Sequence, residues 1–229
     1  MTQPPRRRVA AFDFDGTLTT GDTLVPFLYR VSGPRQFAMV SAKLGLKGSM
    51  RRIPITDRDH VKELMIRDLL GGREEADLRA LGREYATGIL ANRMNDAVVQ
   101  RLRDHVDRGD EVLLVSASLV YYLDPIAEHF GIDAVIAVEP TSVDGTLDGS
   151  LTYPNVRAEQ KAIRLSEWLS AKNDSDDAAQ PSQSQVELWA YGNSSGDHEL
   201  LDMADHAFWL GSNKKRPGGV AQFAAAELA

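Results

Sequence analysis

Short apolar runs alternate with longer amphipathic stretches along most of the chain. Val9–Phe14, Glu111–Val115, Ala134–Val138 and Val186–Tyr191 are rich in Val, Ala and Leu, and a weaker run follows at Ala207–Leu210. Runs of that length without polar alternation predict strands buried on both faces of a parallel sheet. Between them, Asp96–Arg108, Leu119–Phe130, Ala158–Ser170 and Asp197–Ala204 carry helical periodicity. Gly109 and Gly131 follow the first two, where a left-handed C-terminal cap is expected. Strands alternating with helices of this length predict an α/β fold, a Rossmann-like parallel sheet flanked by helices.

One segment breaks the alternation. From Asp22 to Asn95 only helical periodicity appears, punctuated at Gly33-Pro34, Gly45–Gly48, Pro54 and Gly71-Gly72. The breaks predict about four helices inserted directly after the first strand. The expected division is a core of residues 1–21 and 96–229 and a helical cap of residues 22–95. Asp144-Gly145 supplies turn chemistry for a hairpin between Val143 and Thr146. The polar stretch 173–185 reads as a surface loop between a helix and a strand.

Composition narrows the chemistry. The 229 residues contain no cysteine, which excludes disulfides, thiolate-bound zinc, iron–sulfur clusters and a thiol nucleophile. A net charge of −7 argues against a nucleic-acid partner, whose binding surface would be basic. The charge is unevenly spread: residues 22–95 carry net +4 and the remainder −11. Residues 1–8 lack an apolar core of signal-peptide length, and no run of about 18 apolar residues is present. A cytoplasmic protein without stable membrane insertion, monomeric or homodimeric, is expected.

The most informative segment is Asp13-Phe-Asp15-Gly-Thr17, where an apolar strand ends in two carboxylates at i and i+2. Alternation along a strand puts both on one side, at the sheet edge where ligands of open α/β folds bind. Adjacent carboxylates repel, and a divalent cation offsets the repulsion. Three weaker signals follow in order. Ser116 ends the second strand, although a serine there also suits a helix cap. Lys161 opens a helix, where a lone lysine is ordinarily an exposed surface residue. The loop Gly192-Asn193-Ser-Ser-Gly196-Asp197 follows the fourth strand, and Asp197 equally fits a helix N-cap.

Taken together, Asp13-Phe-Asp15-Gly-Thr17, Ser116, Lys161 and the Gly192–Asp197 loop resemble the four motifs of the haloacid dehalogenase-like hydrolases. The helical insert after the first motif resembles the subgroup that contains phosphoserine phosphatase. The resemblance implies a phosphatase in which Asp13 attacks phosphorus and forms an aspartyl-phosphate. It gives Asp15 the role of acid and then base, and leaves Ser116 and Lys161 to hold the phosphoryl oxygens. It further implies substrate contacts from Thr17, Asp22 and Ala117 beside Ser116 and Lys161. Mg²⁺ would be held by Asp13, the Asp15 backbone carbonyl, Asn193 and Asp197.

Two departures stand out. Relatives commonly carry an acidic residue where this chain has Asn193, so the metal ligand there is a neutral amide oxygen or Asp197 takes a larger share. Arg157, four residues before Lys161, offers an alternative register for the cation. The implied substrate is a small phosphorylated metabolite. Phosphoserine comes first, because Asp22 falls where phosphoserine phosphatases face the substrate amine, although an acid in Gly21-Asp22-Thr23 also suits a helix cap. Histidinol phosphate, a lipid phosphate, or a catalytically weak phospho-ligand binder of the same fold are the alternatives.

Overall fold

The computed structural model describes residues 6–49, 58–173 and 186–224. Strand β1 (Arg7–Phe12) lies inside a six-stranded sheet with β2 (Glu111–Leu119), β3 (Ala134–Val138), β6 (Val186–Gly192), β7 (His206–Trp209) and β8 (Ala221–Gln222), in the order β3-β2-β1-β6-β7-β8. Every pairing in it is parallel. Side chains of β1 alternate between two buried clusters: Ala10 and Phe12 face one, Val9 and Ala11 the other. That is the two-sided burial the unbroken apolar runs predict. The expected strand Val9–Phe14 is shifted, running Arg7–Phe12. The short edge strand β8 carried too little hydrophobic signal to be read from the sequence. Strands β4 (Pro140–Val143) and β5 (Thr146–Leu151) form the expected hairpin. Asp144 and Gly145 both have positive φ, at 52° and 85°, as a tight two-residue hairpin turn requires.

Helices α4 (Asp96–Asp107), α5 (Val120–Phe130), α6 (Glu159–Asn173) and the short α7 (His198–Asp202) flank the sheet. Between β1 and α4 come α1 (Leu24–Ser49), α2 (Arg58–Leu70) and α3 (Glu75–Asn92). Helix α1 is kinked at Gly33, whose φ of 74° and ψ of 166° only glycine adopts readily, and Pro34 starts the next helical segment. The break expected at Gly45–Gly48 does not occur, since α1 continues to Ser49. An interior glycine costs a helix about 1 kcal/mol without ending it. The expected break at Pro54 and most of the 173–185 loop lie outside the described residues.

The chain enters these three helices and returns from them at one place. Thr20 N–H donates to Arg93 C=O at 2.9 Å and Asn95 N–H to Leu18 C=O at 2.8 Å. Leu28, Leu64 and Leu78 of the inserted helices share a buried cluster with Phe12 and Leu114 of the sheet. Helix α3 packs closely on α5: a Cβ built on Gly82 would lie 2.1 Å from the Tyr121 carbonyl oxygen. No helix among the described residues is long and apolar enough to cross a membrane.

Candidate active site

The chain turns one way from β1 to β2 and β3 and the other way from β6 to β7 and β8, so the carboxyl ends of β1 and β6 flank the crevice where open parallel sheets bind ligands. Asp13 follows β1 and Asn193 follows β6. A tight turn through Phe14–Leu18 then carries Asp15 and Thr17, with Gly16 at φ 79°. Any Cβ on Gly16 would meet the Asn193 amide nitrogen at 2.0 Å, so the two loops pack through a glycine. A cavity of about 410 Å³ opens here, lined by Asp13, Asp15, Ser116, Lys161 and Asp197 at its sheet end.

Lys161 joins the motifs. Its Nζ donates to Asp13 Oδ1 and Asp197 Oδ1, each at 2.6 Å, and the residue is 2% exposed. The second Asp13 oxygen accepts from Thr17 Oγ1 at 2.9 Å. Burial pushes the Asp13 carboxyl up, Asp197 adds to the effect, and Lys161 offsets only part, leaving it at about 7. Burial also acts on Asp197, but Lys161 and the Ser194 donors outweigh it and hold that carboxyl below its ordinary range. Burial disfavours the Lys161 ammonium, yet the two carboxylates overcome that and hold its pKa above the usual value. The site thus has a fixed cation and a surplus of carboxylate.

Asp15 sits in a different shell. Its Oδ1 accepts from Thr23 N–H at 2.7 Å and Thr23 Oγ1 at 2.6 Å, and its Oδ2 from Ser118 Oγ. The Thr23 hydroxyl spends its single proton on Asp15, so the Tyr122 hydroxyl 3.2 Å away donates to it in turn. Tyr85 Oη donates to Thr23 C=O at 2.9 Å and fixes the loop. Sequence reasoning missed Thr23, Ser118, Tyr122 and Tyr85 as partners around Asp15, because three separate stretches of the chain meet there only in the fold.

The remaining predicted positions fall as follows. Ser116 is buried and its Oγ accepts from Ser118 N–H at 3.1 Å. It caps no helix, because β2 runs on to Leu119 and α5 begins at Val120. Ala117 lines the cavity, and its carbonyl accepts from Lys62 Nζ of α2. Asp22 lines the cavity while its Oδ2 caps α1 by accepting from Val25 N–H at 3.1 Å. Arg157 lines the rim and donates to Ser195 Oγ at 3.4 Å, so Lys161 is the cation that meets Asp13.

The oxygen atoms available to a cation can be sorted by what they already hold. Asp197 Oδ1 accepts from Lys161, and its Oδ2 from Asn193 N–H at 3.1 Å and from Ser194 N–H and Oγ, both at 2.8 Å. Asn193 Oδ1, in contrast, is buried with no hydrogen-bond partner among the described residues. A buried acceptor left without a donor is costly, and a bound cation or water satisfies it. No cluster of three His, Asp or Glu side chains arranged for metal binding occurs among the described residues. Mg²⁺ does not need one, because it binds through one or two carboxylates plus waters and substrate phosphate. The residues present fit that ion.

Comparison with known proteins bears on the family and the fold. The family model for haloacid dehalogenase-like hydrolases matches residues 10–202. Protein CicA of Caulobacter vibrioides (strain NA1000 / CB15N) is 30% identical over 200 residues, 86% of this chain and 83% of that protein. Phosphoserine phosphatase SerB1 of Mycobacterium tuberculosis (strain ATCC 25618 / H37Rv) is 29% identical over 167 residues, which span 70% of this chain and 54% of SerB1. Among solved structures, a protein of unknown function from Bordetella pertussis Tohama I superposes with a TM-score of 0.75 at 22% identity, covering 96% of this chain and 99% of the other. A phospho-aspartyl intermediate analogue of phosphoserine phosphatase superposes with a TM-score of 0.59 at 16% identity, covering 89% and 86%. At these identities the superpositions show the shared fold.

Proposed function

From the premise that the chain belongs to the haloacid dehalogenase-like hydrolases and is a phosphatase, we propose that it is an Mg²⁺-dependent phosphomonoesterase working through an aspartyl-phosphate at Asp13. The observation that carries the reading is the Lys161 ammonium held between Asp13 and Asp197 at the floor of a cavity that Asp15 and Ser116 also line. In this reading, residues 22–95 act as a cap over the site.

The chemistry follows from the contacts. Lys161 and Thr17 each engage one Asp13 oxygen and fix the carboxylate, so that attack needs little reorientation. An Asp13 oxygen bonds to phosphorus as the bond from phosphorus to the leaving oxygen breaks, and Asp15 gives that oxygen its proton. A water then attacks the same phosphorus and passes a proton to Asp15, which releases inorganic phosphate and restores Asp13. The Thr23 and Ser118 hydroxyls can rotate from donating to accepting, so one shell serves both protonation states of Asp15. Ser116 and Lys161 stabilise the charge on the phosphoryl oxygens.

Mg²⁺, held by Asp13, the Asp15 carbonyl and Asn193, would supply positive charge against the repulsion between an anionic nucleophile and an anionic ester. Asp197, whose Oδ2 already accepts three hydrogen bonds while its Oδ1 holds Lys161, serves chiefly to anchor Lys161 and the loop. Phosphoserine is the first substrate to test, since Asp22 is among the residues lining the cavity and SerB1 bears that activity in its name. The test is p-nitrophenyl phosphate hydrolysis with and without Mg²⁺. Metal-dependent turnover that Asp13→Asn abolishes is expected, and folded protein without turnover refutes the reading.

A further inference from the structure

The cavity has two unlike ends. The sheet supplies charged groups and hydroxyls, whereas the inserted helices supply Leu24, Val25, Leu28, Val61 and Met65. Among the described residues, Asp22 and Lys62 are the charged side chains the insert brings to the lining, and both are already bound to the protein. Asp22 caps α1 through Val25 N–H, and Lys62 donates to the Ala117 carbonyl. A leaving group with its own ammonium and carboxylate would have to shed water against an aliphatic wall, which is costly without new partners.

The apolar surface also continues beyond the mouth. Val25 and Tyr29 are one helical turn apart on one face of α1, 45% and 48% exposed. Phe37 lies edge-on to Tyr29 with ring centroids 5.5 Å apart. The cavity volume of about 410 Å³ is near the small end of the roughly 300–1,000 Å³ typical of small-molecule sites. It can enclose a phosphate and the first part of a chain, with the rest running out over Val25 and Tyr29.

We propose that the natural substrate is a phosphate monoester of a hydrophobic alcohol, with its phosphate at Lys161 and Ser116 and its chain against Leu24, Val25, Leu28 and Met65. This rests on the phosphatase reading above and deepens it by making the leaving group apolar rather than zwitterionic.

The test uses n-alkylphosphonates from methyl to hexyl, which cannot be hydrolysed, titrated calorimetrically into the intact chain with Mg²⁺ present. Kd should fall about threefold to fourfold per methylene over the enclosed part of the chain. The phosphonate analogue of phosphoserine should bind about tenfold or more weakly than butylphosphonate. Val25→Ser and Tyr29→Ser, both at half-exposed positions, should shrink the ratio of hexyl to methyl affinity. A flat series, absent binding, or tighter binding of the amino-acid phosphonate overturns the proposal. No bond breaks in this assay, so a clear chain-length preference in a protein that hydrolyses nothing would refute the phosphatase reading, whereas turnover of p-nitrophenyl phosphate with a flat series would refute the apolar leaving group alone.

Discussion

Replacing Lys161 by Met removes one charge and leaves the volume nearly intact, which makes it a sharp probe of the site. Lys161 is 2% exposed and makes two 2.6 Å charge-assisted bonds. Removing one partner of a buried ionic cluster costs about 3–5 kcal/mol, because the group left behind must either stay charged without its partner or take up a proton. Here the loss falls on Asp13. Asp197 keeps the Asn193 and Ser194 donors on its Oδ2, whereas among the described residues Asp13 keeps only Thr17.

The pH dependence has a definite sign. The Asp13 carboxyl already stands raised at about 7, and Lys161 opposes that rise. Without Lys161 it moves higher still, so the native variant holds a proton that the unfolded chain has lost. Stability then falls with rising pH until the raised pKa is passed. In wild type this fall ends near pH 7, and in the variant it continues. Urea denaturation with chelator present should therefore show Lys161→Met less stable by about 3–5 kcal/mol at pH 7, with the gap widening toward pH 9. A loss below about 1 kcal/mol, the scale of an exposed pair, or an equal loss in Arg157→Met, would refute the assignment of Lys161 as the cation that holds Asp13.

Further outcomes follow from other residues. Asn193→Asp exchanges a neutral oxygen for an anionic one beside Gly16, so Mg²⁺ should raise the melting temperature at about tenfold lower concentration; equal midpoints would contradict the placing of Asn193 at the metal. Gly82→Ala puts a Cβ 2.1 Å from the Tyr121 carbonyl oxygen, so despite better helix propensity it should lose about 1–2 kcal/mol by chemical denaturation. Fully buried His105, which bonds to Asp110 and Tyr191, is driven down to about 4 by burial even though Asp110 opposes the shift. Its contribution is complete above about pH 6.5 and lost as pH falls toward 4, so His105→Gln should lose about 3 kcal/mol less than wild type between pH 7 and 4.

What the sequence made legible follows physical lines. The sheet was readable because strands buried on both faces must be apolar throughout, and Asp13 and Asp15 stood out as charge at the end of such a run. Lys161 alone looked like a surface lysine, and only its place in an ordered set of motifs marked it. The ordinary alternatives for Asp22 and the fourth-motif loop turned out to coexist with the site. Asp22 does cap α1, and Asp197 forms a reciprocal capping box with Ser194 while holding Lys161. The shell around Asp15 was illegible, because Ser118 lies 103 residues from its partner and no local pattern encodes that distance. Part of the positive charge of residues 22–95 is paired within that same segment: Arg30 with Glu84, Lys43 and Arg67 with Asp68, and Arg79 with Glu75. Among the described residues, Lys62 is the basic side chain from the insert that lines the cavity.

The central claim is that Asp13 is the group phosphorylated during turnover. Acid-quenched single-turnover reactions with an isotopically labelled phosphate ester, followed by peptide mass spectrometry, address it directly. The account predicts a labelled phosphoryl group on the peptide containing Asp13, removed by hydroxylamine and absent in Asp13→Asn. Turnover without protein labelling, or a label on another residue, would contradict it.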